Sequence, residues 1–331
     1  MNNNRLDYID GIRGIAILLV FFAHLSAGVY PHDIGLFKNY TFFIGGGLIG
    51  VQLFFALSGY LITKNLINEF KNFGNVNLKL FYLRRFWRLY PVLLLTCIVY
   101  VVYVVFFMET RLIIAALGDI IKALTYTTNL PIFPKRFPDQ EWMSHTWSLS
   151  VEEQFYLIWP IILIGLLKLQ SKYLTIFSIF TIILITILLR KYIPLFSYEI
   201  FRWDALMIGC LLNFIKTPKN HIIITVSLLT IILYSWFFPD PLENFDYLLS
   251  SIACGAFISQ GEYLHQLNNK ILSYFGKISY SLYLWHIIFM RLGLPGYYNL
   301  IISLIISDLS YRLFEIPVLN WARLSFKLTR V

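Results

Sequence analysis

The sequence predicts an all-α fold, a polytopic membrane bundle of about ten transmembrane helices. Three observations carry that prediction. Of 331 residues, 58% are hydrophobic, 18% aromatic and only 14% charged, and the mean hydropathy is +0.68. Apolar runs of roughly 15 to 22 residues recur from one end of the chain to the other. Alternating strand patterns of about ten residues are missing, which argues against an outer-membrane barrel. A bilayer then leaves helices, because each backbone amide must find its partner inside its own segment.

Ten spans follow in order, at approximately 12–30, 44–67, 89–107, 147–167, 173–189, 198–215, 221–238, 246–261, 278–293 and 297–319. The first follows the mixed-charge "MNNNRLDYID" with no small-residue cleavage site behind it, so it reads as a retained signal anchor. The second contains Gly46 and Gly50 at GxxxG spacing. That spacing implies close helix packing, and without a following Lys-Ser/Thr it is not a phosphate loop. The stretch 111–130 is amphipathic and interrupted by Asp119 and Lys122. It is expected outside the membrane core, on the surface or packed against the bundle. Around it, 108–146 forms the main outer segment, with the loop-like "NLPIFPKRFPDQEW". Arg202 and Asp204 lie within the sixth span, and Asp308 and Arg312 in the tenth are four apart and should pair. Cys97, Cys210 and Cys254 all fall in apolar runs and read as small core residues, not as a disulfide framework or metal site. With no appended soluble domain expected at either end, 1–331 reads as a single integral membrane domain.

The net charge of +9 would suggest nucleic acid in a soluble protein. Here the charge sits in short loops and reports orientation, so no nucleic-acid partner is expected. With the N-terminus inside, the inner side holds 17 Lys and Arg residues and the outer side 8, with Arg202 and Arg312 inside spans. Both termini are therefore expected in the cytoplasm.

Within this apolar chain a few polar residues stand out. Arg13 and His24 sit in "DGIRGIAILLVFFAHL". Eleven residues at 100° make three turns plus about 20°, so both project from one helix face, about 16 Å apart along the axis. An ionisable group at that depth marks a working site, and a buried imidazole kept neutral suits a general base. The plain alternative is a buried histidine bonded to a neighbouring backbone carbonyl, with Arg13, which alone reads equally well that way, acting only as an inner-side anchor. The approach "FYLRRFWRLYP" groups Arg84, Arg85 and Arg88 on one helix stretch. Such a patch could grip an anionic nucleotide through bidentate guanidiniums, although on spacing alone interface anchoring is favoured. In "HTWSLSVEEQFYLIWP", Ser150 and Glu153 have capping-box spacing, whereas Glu152 faces another side and has no such role. His145 just before it could be a site residue, although such a position more often holds a solvated loop histidine.

Together these segments, with "GVQLFFALSGYLIT", "SYSLYLWH" and "YRLFEIP", resemble in order the membrane acyltransferase 3 family. The resemblance runs from about Leu6 to Pro317. It implies a bacterial enzyme that O-acetylates cell-envelope sugars. The family's arginine and histidine match Arg13 and His24, its Arg-x-x-Arg matches Arg85 and Arg88, and its serine-glycine motif matches Ser58 and Gly59. Its outer-face glutamate motif matches Glu152 and Glu153, and its Glu-x-Pro matches Glu315 and Pro317. Many relatives carry a proline two residues beyond His286, where this chain has Ile288, so the resemblance assigns His286 no role.

The resemblance also implies the reaction. Acetyl-CoA, as acyl donor, would approach from the cytoplasm, its phosphates held by Arg85 and Arg88, with Ser58 and Arg13 nearby. A hydroxyl of a cell-surface or lipid-linked saccharide acceptor would arrive from the outer face. His24 would act as general base or, alternatively, as transient acyl carrier. Glu152 would orient the acceptor or the histidine. No metal is expected, because a thioester is already activated. The protein would reside in the bacterial cytoplasmic (inner) membrane among its lipids. A transporter or flippase of a glycolipid or sugar precursor is the rival class, since intramembrane charges mark substrate paths there too. It would predict inverted repeats and paired broken helices, which the sequence does not display.

Overall fold

The computed structural model describes residues 7–26, 41–107, 110–130, 143–192, 202–237, 244–264, 267, 269–290 and 296–326. Among these residues the regular structure is helical throughout. The elements are α1 (Asp7–Ser26), α2 (Thr41–Phe73), α3 (Leu78–Phe107), α4 (Thr110–Leu124), α5 (Trp147–Lys168), α6 (Lys172–Tyr192), α7 (Asp204–Leu211), α8 (His221–Phe237), α9 (Asn244–Ser259), α10 (Lys270–Met290), α11 (Gly296–Ser310) and α12 (Ile316–Ser325).

Five of the described helices, α1, α2, α3, α5 and α6, are long and apolar enough to cross a membrane. Ten such helices are thus not what the described residues show. The largest departure is at 198–215, where the described helix is only the eight-residue α7. Nearly all of α7 is buried, and Asp204 at its start pairs with Arg190 at 2.8 Å. Arg190, one residue beyond the expected fifth span and so counted on the outer side, is therefore an interior residue.

Helix α10 is buried on all sides from Ile278 to Ile288. Around it, α1 packs most extensively, and α2 packs on α1 and α7. Glycines set two of these spacings. A Cβ on Gly50 would lie 2.5 Å from the Ala16 carbonyl oxygen of α1, so the GxxxG stretch is a packing surface. Gly59 of α2 and Gly209 of α7 meet reciprocally: a Cβ would come within 1.9 Å of Leu206 O or 2.0 Å of Ala56 O, respectively. Only hydrogen at those two positions lets the backbones touch.

Helix α4 folds back along α3. Its buried face is Ala116, Ile120 and Ala123, and the Tyr126 ring beyond its end lies 6.4 Å from that of Tyr90, midway along α3. Thus α4 is packed against the bundle, the second of the two placements expected. It ends in a Schellman turn: Thr127 N–H donates to Lys122 O at 2.9 Å and Tyr126 N–H to Ala123 O at 3.2 Å. Tyr126 takes the left-handed position at φ 53°, where glycine is usual. The non-helical strand of chain after it is held by α5. Gln154 Nε2 donates to Tyr126 O and Asn129 Oδ1 at 2.9 Å each, and Ser150 Oγ accepts from Thr128 N–H at 3.2 Å. Irregular backbone is tolerated in such a place only where protein satisfies it.

The last two helices are joined by a π-helical segment, Tyr311–Glu315. The extra residue per turn swings Glu315 into the interior, where it accepts from Ser281 Oγ at 2.8 Å. Such π segments concentrate at functional sites. Asp308 and Arg312 pair at 2.8 Å as expected, and Cys97, Cys210 and Cys254 are free and buried.

Candidate active site

Five of the six residues singled out from the sequence line one cavity. Arg13, Ser58, Arg85, Arg88 and Glu152 surround a space of about 110 Å³ between α1, α2, α3, α5 and α10. Its remaining walls are mainly apolar and aromatic, including Phe54, Phe55, Leu61 and Tyr280. Arg88 keeps exposed surface while lining it, so the basic end is open to solvent.

Each charged group is positioned by a neighbour. Arg13 Nη2 donates to Ser279 Oγ of α10 at 3.0 Å. The Arg85 guanidinium stacks 4.3 Å over the Tyr156 ring. One oxygen of Glu152 accepts from both Ser58 Oγ and Tyr156 Oη. Gly59, by admitting α7, holds the turn of α2 that presents Ser58. Arg88 lies within electrostatic reach of Arg13, Arg85 and Glu315.

Two expectations change here. The basic patch of three separates: Arg84 turns away to Glu69 at 3.4 Å, leaving Arg85 and Arg88 in the cavity. The glutamate pair also divides. Glu152 lines the arginine cavity, which Arg85 of α3 also reaches. Glu153 does not close a capping box: Thr146 is the N-cap of α5, Ser150 bonds Thr146 O and Thr128 N, and Glu153 lines a second cavity.

His24 is not a wall of the first cavity, but it stands beside it. It lies in the last turn of the described α1, half-buried. Its Nδ1 is 2.9 Å from Val20 O and 3.2 Å from His286 Nε2. His286 is fully buried, and its own Nδ1 is 3.0 Å from Leu282 O. Two carbonyl oxygens can only accept, so both rings carry their proton on Nδ1. His286 Nε2 is then an acceptor for His24, and the basic lone pair of His24 is on Nε2. His145 completes the group, its ring centroid 5.5 Å from that of His286. It is 5% exposed, which corrects the solvated-loop reading. Tyr283 connects this group to the cavity: its hydroxyl donates to His145 O, lies 2.6 Å from Ser148 Oγ, and both Tyr283 and Ser148 line the cavity. Among the described residues no group of His, Cys, Asp and Glu is arranged to hold a metal ion.

Sequence reasoning missed His286, Tyr283 and Ser279 as a set. The signal was present: they occur at i, i+4 and i+7 on an otherwise apolar stretch, and so share one face. That stripe runs parallel to the one on α1, pairing Ser279 with Arg13 and His286 with His24.

A sequence profile described as an acyltransferase domain matches residues 6–319. The chain belongs to this acyltransferase family. O-acetyltransferase OatA of Staphylococcus aureus strain NCTC 8325 / PS 47 is 30% identical over 359 residues, covering 95% of this chain and 57% of that protein. OatA of strain COL matches with the same identity and coverage. The chain thus spans 57% of the length of these relatives. No solved structure matches the chain.

Proposed function

We propose that this protein transfers an acetyl group from acetyl-CoA to a hydroxyl of a saccharide, with the donor entering from the cytoplasm and the acceptor from the outer face. The observation that carries this reading is the shared cavity, which gathers Arg13, Arg85 and Arg88 with Ser58 and Glu152 and ends beside the histidine group. Membership of the family and likeness to O-acetyltransferases support the reaction class.

The residues suit the donor. Guanidiniums bind phosphate oxygens in pairs of charge-assisted hydrogen bonds. A space of about 110 Å³ is well below the several hundred Å³ that enclose a drug-sized ligand. It has room for the acyl end of the donor only, and the rest of the pantetheine arm and the nucleotide lie at the open end, against Arg88. The thioester then arrives near Tyr283 and Ser148, on the side of His24. His24 Nε2 takes the proton of the acceptor hydroxyl as that oxygen attacks the thioester carbonyl, and returns it to sulfur as the C–S bond breaks, so that the acetyl ester forms and CoA leaves as the thiol. Glu152, held by two hydroxyls, orients the acceptor. This reading includes ten crossings, with α7, α8, α9, α10 and the α11–α12 pair completing the set begun by the five candidate membrane helices. It also places the protein in a bacterial inner membrane with both termini cytoplasmic, as the 17-to-8 charge bias expects.

Purified protein tests this directly through CoA release from acetyl-CoA, with and without a sugar acceptor. His24→Ala should lower turnover by about 10²- to 10⁴-fold, the usual worth of a general base. A folded His24→Ala variant with full turnover would overturn the assignment.

A further inference from the structure

A second, larger cavity lies on the other side of Arg85 and Tyr156, which wall both. It is a groove of about 810 Å³ between α3, α5 and α6, closed inside by the turn after α4. Its lips are apolar residues of three candidate membrane helices: Phe86 is 46% exposed, Leu157 58%, Ile158 44% and Ile185 47%. The groove therefore opens sideways, toward hydrocarbon. Its inner end is polar. Glu153 Oε1 is buried there without a hydrogen-bond partner, and Arg85 lies within its electrostatic reach.

We infer that this groove is the binding site for the aliphatic chain of a lipid-linked, hydroxyl-bearing acceptor that enters from the bilayer plane. The chemistry selects the occupant. A buried carboxyl oxygen with no partner is costly, and a hydroxyl donor repairs it. The bare tail of a longer acyl donor offers no donor to Glu153. An ordinary diacyl phospholipid could offer its phosphate to Arg85, but that phosphate brings Glu153 a like charge and no donor. An amphiphile with a sugar-like head satisfies Glu153 and Arg85 while its chain fills the apolar part. Its head then rests one side chain away from Glu152 and the first cavity. This inference rests on the acceptor reading above and deepens it.

The probe is a dodecyl glucoside carrying a diazirine in its chain, added to the full chain in nanodiscs without acetyl-CoA. After photolysis, label should concentrate on α3, α5 and α6 around Leu157 and Ile185. Unlabelled dodecyl glucoside should compete, and phosphatidylglycerol and palmitoyl-CoA should not. Ile185→Trp, which fills the groove, should reduce labelling about tenfold or more. Leu157→Trp on the facing wall should do the same if Ile185→Trp fails to fold. Glu153→Ala should weaken competition by the glucoside. Competition by phosphatidylglycerol would reduce the groove to an ordinary lipid contact, and competition by palmitoyl-CoA alone would make it a donor-chain site. Either result, or labelling unchanged in both tryptophan variants, would overturn the inference. Labelling reads without turnover. Loss of transfer with labelling intact would sink the proposed reaction alone, and the converse would sink this site alone.

Discussion

Replacing His286 by phenylalanine isolates one contact in the proposed chemistry. Phenylalanine is somewhat larger than histidine in this fully buried position packed against Phe21, so no cavity forms and the cost is modest overpacking. What disappears toward His24 is Nε2, the acceptor 3.2 Å from its Nδ1, and the internal Nδ1–H bond of His286 to Leu282 O goes with it. Val20 O, at 2.9 Å, still receives the same proton. The His24 tautomer therefore survives, and only one of its two restraints is lost. One hydrogen bond is worth about 0.5–1.5 kcal/mol, which corresponds to a loss of about twofold to about tenfold in turnover. That is far below the expected loss for His24→Ala. His286→Gln, whose amide oxygen can stand near the Nε2 position, should restore part of it. The assay is CoA release under saturating acetyl-CoA, with kcat and KM separated. A positioning role predicts a change in kcat and an unaltered KM for acetyl-CoA. If His286→Phe matched His24→Ala in severity, His286 would itself be the base. If it turned over like the wild type, the two-histidine arrangement would have no part in the reaction.

Other predictions address different parts of the molecule. Arg85→Ala/Arg88→Ala should raise the KM for acetyl-CoA by at least about tenfold, since hydrogen bonds to charged groups are worth about 1.5–3 kcal/mol each. Arg84→Ala, whose guanidinium faces Glu69, should not; equal effects would remove the cavity from donor binding. Gly59→Ala should destabilise by about 1–3 kcal/mol through overpacking, because the new methyl would meet Leu206 O at 1.9 Å. A thermal-unfolding midpoint equal to wild type would show that α2 and α7 can part freely. Asp204→Asn removes the buried counter-charge of Arg190 and should cost about 3–5 kcal/mol. Asp308→Asn, at an exposed pair, should leave the midpoint nearly unchanged; reversal of that order would contradict the burial argument.

Much of the site was legible because helical periodicity is a local property. The eleven-residue interval placed Arg13 and His24 on one face before any fold was known, and the three-residue interval did so for Arg85 and Arg88. The split between Glu152 and Glu153 was equally local, since adjacent residues on a helix point about 100° apart. Less legible was anything set by the meeting of helices. The capping-box spacing of Ser150 and Glu153 is a valid local pattern, yet the turn after α4 takes Ser150 and the second cavity takes Glu153. The loop position of His145 suggested water, and Tyr283 with His286 closes over it instead.

By itself, the sequence determined the helical class, the membrane-compatible apolar runs, and which polar residues share a helix face. These follow from hydrophobicity and a fixed rotation per residue. Only the tertiary structure decided that Arg13, Ser58, Arg85, Arg88 and Glu152 come from four helices to one cavity, and that His24 finds its partner 262 positions away. The physical reason is that these contacts depend on interhelical distance. That distance is set by close backbone approaches such as Gly59 on Leu206, which no periodicity within a single helix encodes.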